Sequence, residues 1–417
     1  MQTRFLYARA ERCVTVWEHP LWSGVLAAIV YAAFTARAYQ SLHWYATPHA
    51  YFTYLADAFL HRQLHLRLIP THTLDLSQYQ GLFYLYWPPL PAVLLMPFVA
   101  VWGVSFSDTL FSVCVGGLNV SLVAVLLRRA SRRGVLELSK ARRGLMVLFF
   151  ALGTVHVTLA PYGGVWFVGQ LVGFNCVALA YIATLSLRGV GAFAGVGLTM
   201  AGAFLTRNHL ILTGLWPVLY LVAQHRGVGE RRLLAYLAAG AAPVVAAIVL
   251  FGLYNWLRFG SVFDNGLAYH QMSSFFRADY ERYGAFSLHY LPTNLFYQYI
   301  AYPLPLRAES PIGGSLFLLS PVFMALFWAL LRGRPRWSIA VMLLTVLLTA
   351  MPILLLMGTG YRQYGPRYTL DFTLPLLLLT AIGVRWWPRS IFAVLICVSV
   401  AHYLYGASVM RAILSEL

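Results

Sequence analysis

Long apolar runs recur along this chain, and they constrain its fold more than any other feature. An α-helix needs about 20 mostly apolar residues to cross the hydrocarbon core of a bilayer, and the sequence contains about eleven runs of this kind. The runs lie near residues 21–39, 109–127, 145–161, 166–186, 190–206, 210–224, 233–256, 313–331, 338–357, 372–386 and 390–408. The sequence therefore predicts an all-α, polytopic transmembrane helical bundle, with residues 1–417 as a single transmembrane domain.

The balance of charged and apolar residues excludes a water-soluble protein and a nucleic-acid-binding surface. Hydrophobic residues make up 60% of the chain and charged residues 10%, whereas soluble domains are typically about 45–50% apolar and about 25% charged. The formal net charge is +17, but a nucleic-acid-binding protein gathers its basic residues on one soluble face. Here they fall in short clusters between apolar runs, which is typical of cytoplasmic loops under the positive-inside rule. These clusters lie within 128–143, 226–232, 332–336 and 385–389.

One further apolar stretch, 85–104, has to be reconciled with this pattern. The N-terminal tail, with Arg4, Arg9 and Arg12, and the basic loop 128–143 should both be cytoplasmic, so an even number of crossings must separate them. Counting 85–104 as a span would give three crossings. The stretch begins with the run Trp-Pro-Pro-Leu-Pro at 87–91, and prolines prevent regular hydrogen bonding of a helix. We therefore expect this Pro-Pro-led segment to be re-entrant or to lie along the outer face.

This topology places two long polar segments outside the cytoplasm, residues 40–108 and 257–312. Most of the scarce carboxylates then share the outer side: Asp57, Asp75, Asp108, Asp264, Asp279, Glu281, Glu309 and Asp371. Within 43–68 the apolar residues recur near helical spacing, which predicts an interfacial helix. His61 and His65 stand at i and i+4, a spacing that suits a zinc pair, but no third ligand follows at a diagnostic spacing. We therefore predict no metal-ligating residues. Whether the protein uses a divalent metal as a cofactor stays open.

Arginines on the outer side run against the positive-inside bias, so each either snorkels to the interface or binds an anion. Arg207 and His209 stand at the end of one span. Arg362 and Arg367 flank two tyrosines and a Gly-Pro turn ahead of Asp371. Guanidinium groups bind phosphate oxygens in a planar fork, and we expect a phosphate to suit this second pair.

The order of these features resembles a known family. A first span is followed by a long outer loop with an amphipathic helix and then by a Pro-Pro-led stretch. Short motifs at 54–60, 84–91, 254–260 and 363–368, the last with Asp371, add to the pattern. Together they resemble the GT-C superfamily of polytopic glycosyltransferases, of the protein-mannosyltransferase and aminoarabinose-transferase (family 39-like) type.

The resemblance implies a polyprenyl-phosphate-linked sugar donor, which would be used in the bacterial cytoplasmic membrane with the N-terminus inside. A sugar would move on the outer face to a glycan, lipid or protein acceptor that the sequence does not identify. The resemblance also implies a carboxylate in the first outer loop as general base, with basic residues holding the lipid phosphate. Asp57 and Asp75 are the candidate carboxylates. Family members commonly carry an acidic pair where this chain has Pro48 and His49, so His49 could replace the acid.

By the same resemblance, Arg367 and Tyr368 are the expected phosphate contacts, with Arg362, Arg207 and His209 as further candidates. Two alternative functions stay open. A transporter or flippase for a lipid-linked or small solute would need polar groups inside the spans; the polar candidates there, Asn119, Gln170 and Asn175, more often join helices. A non-catalytic, lipid-binding membrane subunit would explain the missing acidic pair.

Overall fold

A computed structural model describes residues 14–39, 45–307, 310–358 and 360–414. The tail arginines Arg4, Arg9 and Arg12, and also Glu309, lie outside the described residues. The helices of the described chain are α1 Pro20–Tyr39, α2 Tyr51–Leu60, α3 Leu90–Trp102, α4 Asp108–Arg132, α5 Lys140–Leu152, α6 His156–Leu159, α7 Val165–Ser186, α8 Gly189–Phe204, α9 Leu215–Gln224, α10 Glu230–Phe259, α11 Ser274–Tyr283, α12 Leu291–Leu295, α13 Leu316–Leu319, α14 Leu326–Arg332, α15 Arg336–Leu355, α16 Thr373–Gly383 and α17 Arg389–Leu414. Two short strands are also present, β1 Ser77–Tyr79 and β2 Leu82–Tyr84.

The structure confirms a multi-pass helical membrane protein. Within the described chain, eight helical segments are long and apolar enough to cross a bilayer. These segments are Pro20–Tyr39, Asp108–Arg132, Lys140–Leu159, Val165–Ser186, Glu230–Phe259, Arg336–Leu355, Arg367–Trp386 and Arg389–Leu414. Three of the remaining predicted runs fold as shorter helices or as helices joined by 3₁₀ turns: α8, the pair of Asn208–Gly214 with α9, and α13 with Pro321–Ala325 and α14.

The basic clusters meet at one end of the helical bundle, here called the basic end. Glu18, just before α1, accepts from Arg128 at 3.1 Å and from Arg143 at 2.9 Å. Arg142 donates to the Trp387 carbonyl at 2.8 Å, which ties the start of α5 to the turn before α17. Loops that are far apart in sequence are therefore held together at this end.

The opposite end, here called the loop end, consists of residues 45–107, 160–164, 205–214, 260–307, 310–315, 356–358 and 360–372. Asp108, at the start of α4, joins two of its parts. Its carboxylate accepts from the Thr47 amide at 2.9 Å, from the Thr47 hydroxyl at 2.6 Å and from the Gly164 amide at 2.6 Å. A single buried carboxylate thus fixes the segment before α4 against the turn that precedes α7.

The Pro-Pro-led stretch folds as α3, which is too short to span. Its 13 residues extend about 20 Å at 1.5 Å per residue, against a hydrocarbon core of about 30 Å. Pro89 precedes the helix, so the helix begins after the proline pair. Leu95 and Val99 pack in one apolar cluster with Leu55 of α2, which agrees with a peripheral position.

A small β-hairpin in the first outer segment was absent from the sequence prediction. Strands β1 and β2 pair antiparallel, with Ser77 opposite Tyr84. Gln80 and Gly81 both have positive φ angles, 50° and 79°. Positive φ at both central residues matches the tight turn of two-residue hairpins. Because each strand has three residues, the alternation of apolar and polar side chains is too short to be recognised.

Candidate functional site

A cavity of about 590 Å³ opens at the loop end. Its wall combines residues 74–75 and 86–88, the start of α7, residues 207–209, parts of 265–286 and the end of α15 with residues 356–358, 360–362 and 367–368. Segments that are distant in sequence therefore share one wall. Six of the eight residues that the sequence nominated for the site line this cavity: Asp75, Arg207, His209, Arg362, Arg367 and Tyr368.

The Asp75 carboxylate is held by two aromatic side chains. Nε2 of His270 donates to Oδ1 at 2.7 Å, and Nε1 of Trp166 donates to Oδ2 at 2.9 Å. The Asp75 amide donates to the Gln271 carbonyl at 2.9 Å, and the residue has a φ of 66°, in the left-handed region. A left-handed conformation is uncommon for non-glycine residues but tolerated by Asp. The backbone and the side chain are therefore both fixed, while 21% of the side chain stays exposed.

A second carboxylate, Asp371, lies deeper and joins two basic residues. Its Oδ2 accepts from Arg207 Nη2 at 3.0 Å and from His209 Nε2 at 2.9 Å. The Asp371 side chain is 1% exposed and that of Arg207 is 11% exposed. This arrangement orients Arg207, because a buried carboxylate that accepts two charge-assisted hydrogen bonds restricts both donors.

Arg367 is buried, and its side-chain hydrogen-bond partners are neutral. Its Nε donates to the Gly360 carbonyl at 2.8 Å, and its guanidinium lies 4.8 Å from the centroid of the Tyr368 ring. The same guanidinium lies 5.7 Å from the ring centroid of Phe167. No carboxylate of the described chain is within ion-pair distance of it. Because burying a cation without a counter-ion is costly, this wall of the cavity suits an anion.

Several lining residues were not nominated from the sequence. Tyr86 stacks on Trp87, with ring centroids 3.8 Å apart. Burial raises the pKa of Tyr86 well above its ordinary value, and the charge of Asp75 adds to the rise, so the phenol stays protonated. The motif at 84–91 had drawn attention to Tyr86, whereas His270 and Trp166 had no local signal. Their role follows from contacts with Asp75 across long sequence separations.

The other two nominated residues, Asp57 and His49, are not among the lining residues. Asp57 accepts a bidentate pair of bonds from Arg67, at 2.9 and 3.0 Å. The His49 ring lies 4.9 Å from that of Trp166. Burial, and then the nearby His72, lower the pKa of His49. Asp57 thus has a cationic partner of its own, and His49 lies beside Trp166.

No three His, Cys, Asp or Glu side chains in the described part of the chain are grouped closely enough to hold a metal ion. His61 is hydrogen-bonded through Nδ1 to the Asp57 carbonyl at 2.8 Å. His65 packs against Tyr84, with ring centroids 6.1 Å apart. The two histidines at i and i+4 are therefore engaged with different partners.

Comparison with known proteins supports the fold. No family model matches the sequence, and no curated protein matches it in sequence. Among solved structures, ArnT from Cupriavidus metallidurans bound to undecaprenyl phosphate matches with a TM-score of 0.51 and 16% identity, over 94% of this chain and 75% of that one. The same protein in the apo state matches with a TM-score of 0.53 and 16% identity, over 89% of this chain and 61% of that one. The chain thus spans about three quarters or less of the length of this neighbour, and its fold is similar to that of ArnT.

Proposed function

Starting from the shared GT-C fold, we propose that this chain is a membrane glycosyltransferase. It moves a sugar from a polyprenyl-phosphate-linked donor to an acceptor hydroxyl on the outer face of a bacterial cytoplasmic membrane. One observation carries the proposal: the buried cation of Arg367 and the carboxylate of Asp75 line the same cavity. The structural neighbour bound to undecaprenyl phosphate adds support for a lipid phosphate as the ligand.

The cationic wall would hold the phosphate of the donor. Arg367 offers a guanidinium that has neutral partners, and Arg207 is oriented toward the same region by Asp371. As the bond between the sugar and the phosphate breaks, negative charge grows on the phosphate. Fixed positive charge placed there before the reaction stabilises that transition state.

Asp75 would act as the general base. A hydroxyl is a weak nucleophile until a base takes its proton. In this step the Asp75 carboxylate accepts the proton and the acceptor oxygen bonds to the anomeric carbon. The carbon–oxygen bond to the phosphate breaks, and polyprenyl phosphate leaves with the electron pair. His270 and Trp166 keep the carboxylate in place, whereas Asp57 is paired with Arg67.

The test measures binding and transfer separately. Protein in lipid nanodiscs is incubated with a panel of undecaprenyl-phosphate sugars and an envelope fraction as acceptor, and binding of undecaprenyl phosphate itself is titrated in parallel. For Asp75→Asn we expect transfer to fall by roughly 10²–10⁴-fold, the usual contribution of a general base, with binding retained. For Arg367→Gln we expect binding to weaken. Asp57→Asn is the matched control in the same outer segment and should keep both.

Full transfer by Asp75→Asn would remove the base assignment. Binding of undecaprenyl phosphate by the wild-type protein without turnover of any donor would favour the non-catalytic lipid-binding subunit. Movement of a lipid across proteoliposomes without an acceptor would favour the flippase. Sidedness has its own test: cysteines introduced near positions 57 and 367 should react with an impermeant reagent from the same compartment, opposite to cysteines at the basic end.

A further inference from the structure

A second cavity, of about 270 Å³, lies between the ends of α1 and α17. It shares no lining residue with the cavity around Asp75. Its lining includes Phe34, Arg37, Tyr162, Ser408 and Arg411. Arg37 is in the last turn of α1 and Arg411 in the last turn of α17. Two helices that are far apart in sequence therefore each bring an arginine to one small space.

Neither arginine has a counter-ion in the part of the chain that the structure describes. No carboxylate there lies within ion-pair distance of Arg37 or Arg411. The Arg411 guanidinium lies 5.5 Å from the ring centroid of Tyr39, and both arginines are exposed. An arginine near a helix C-terminus is individually favourable, but two like charges beside one cavity repel each other. An anion in the cavity would relieve that repulsion.

The cavity lies at the loop end, at the level of the helix ends. The Tyr162 hydroxyl donates to the Ala407 carbonyl at 2.7 Å and so joins the turn before α7 to α17. Leu414, about one turn beyond Arg411, already lines the cavity around Asp75. Since the positive-inside bias disfavours arginines at this end, general membrane topology does not account for the pair.

The two helices that flank this cavity present apolar surface to the bilayer. Apolar residues along both flanking helices are exposed, including Val25 and Ile29 on α1 and Val394 and Val398 on α17. In a bilayer these side chains contact lipid tails. A lipid bound there would place its acyl chains along these two helices and its anionic group beside the two guanidinium groups at the helix ends.

We propose that Arg37 and Arg411 form a phosphate-binding site for the headgroup of an anionic phospholipid, separate from the cavity around Asp75. Guanidinium groups bind phosphate oxygens through paired N–H donors. The volume of about 270 Å³ accommodates a headgroup phosphate, and the acyl chains lie along α1 and α17. The site does not depend on the glycosyltransferase function, because its residues take no part in the step assigned to Asp75.

The test is lipid binding to the full chain in detergent, followed by native mass spectrometry. Phosphatidylglycerol, phosphatidylcholine and inorganic phosphate are titrated separately. For the double variant Arg37→Gln/Arg411→Gln we expect the affinity for phosphatidylglycerol to fall roughly tenfold, the loss that corresponds to about 1.4 kcal/mol. Arg37→Lys/Arg411→Lys should lose less, because it keeps the charge but not the planar fork. The matched control removes the same charge at the basic end, with Arg231→Gln/Arg232→Gln, both exposed.

Equal affinity of the wild-type protein and the double glutamine variant for phosphatidylglycerol would overturn the proposal. So would an equal loss in the control at the basic end, or equal binding of phosphatidylcholine. Competition by inorganic phosphate at the same concentration as the lipid would assign the site to a soluble anion instead. Thermal unfolding of each variant verifies folding, and the single variant Arg411→Gln is measured if the double variant does not fold.

Discussion

A double-mutant cycle on Asp371 and Arg207 should show a large coupling free energy, because the ion pair between them is largely buried. In Asp371→Asn the side chain keeps its size and loses its charge, which leaves Arg207, 11% exposed, without its carboxylate. Breaking a buried ion pair by removing one partner costs about 3–5 kcal/mol. Because Arg207 also borders the cavity, we expect the lower end of that range, about 3 kcal/mol of unfolding free energy. Arg207→Gln removes one charged partner of the carboxylate and keeps His209, so it should cost roughly 2–3 kcal/mol, near the loss of a hydrogen bond to a charged group.

The double variant Asp371→Asn/Arg207→Gln removes both charges together. Its cost should fall short of the sum of the single costs by about 2–3 kcal/mol, the upper part of the range for contacting residues. The assay is reversible unfolding in mixed detergent micelles, followed by tryptophan fluorescence. The control is the pair Arg385 and Glu137, whose side chains are 49% and 63% exposed, and whose coupling should stay below about 1 kcal/mol. Additivity within about 0.5 kcal/mol at Asp371 and Arg207 would refute the reasoning.

Three further predictions concern the loop end. Trp166→Phe keeps an aromatic ring but removes the N–H that donates to Asp75, and a hydrogen bond to a charged group contributes about 1.5–3 kcal/mol. Turnover in the nanodisc assay should therefore fall roughly tenfold or more, and unchanged turnover would contradict this role of Trp166. Burial lowers the pKa of His49, so below about pH 6.5 the unfolded chain binds a proton at this imidazole that the folded chain does not, and the stability of the fold should fall as the pH drops. Between about pH 7.5 and pH 5 the melting temperature of His49→Gln should therefore fall less than that of the wild-type protein. A Cβ at Gly163 would lie 2.6 Å from the Asp108 carboxylate, so Gly163→Ala should lower the free energy of unfolding by about 1–3 kcal/mol. In the control Gly191→Ala the new Cβ would have no atom within 4 Å, so stability should be unchanged or higher, and equal melting temperatures of the two variants would contradict the packing at Gly163.

The transmembrane helices were predictable because hydropathy is a local property of the sequence. The peripheral position of α3 was also predictable, since the proline pair at 88–89 delays the start of the helix and the basic loops fix the parity of crossings. Breaks within the spans were not predicted. Gly153 separates α5 from α6, and Pro321 begins a 3₁₀ turn between α13 and α14. Both interruptions depend on short-range backbone geometry, which the mean hydropathy of a window of about 20 residues does not reveal.

The cavity could be predicted in part. Arg367 was recognisable from its place beside the Gly-Pro turn, since a basic residue expected on the outer side needs a reason, and Tyr368 was nominated through the resemblance to the GT-C superfamily. The sequence could not rank Asp75 above Asp57, because both lie in the same polar segment. Their difference comes from distant partners: Trp166 is 91 residues and His270 is 195 residues from Asp75. Such contacts leave no local pattern.

The distribution of polar side chains bears on the choice between transfer and transport. A carrier places ionisable or polar groups along a path near the bilayer midplane. The three polar candidates within the spans join helices instead. Asn119 donates to the Leu171 carbonyl at 3.0 Å and accepts from Asn175 at 3.2 Å, and Gln170 donates to the Arg367 carbonyl at 3.0 Å. Carboxylates and guanidinium groups lie together at the wall of a cavity at one end, which favours a ligand whose headgroup enters from one leaflet and reacts there.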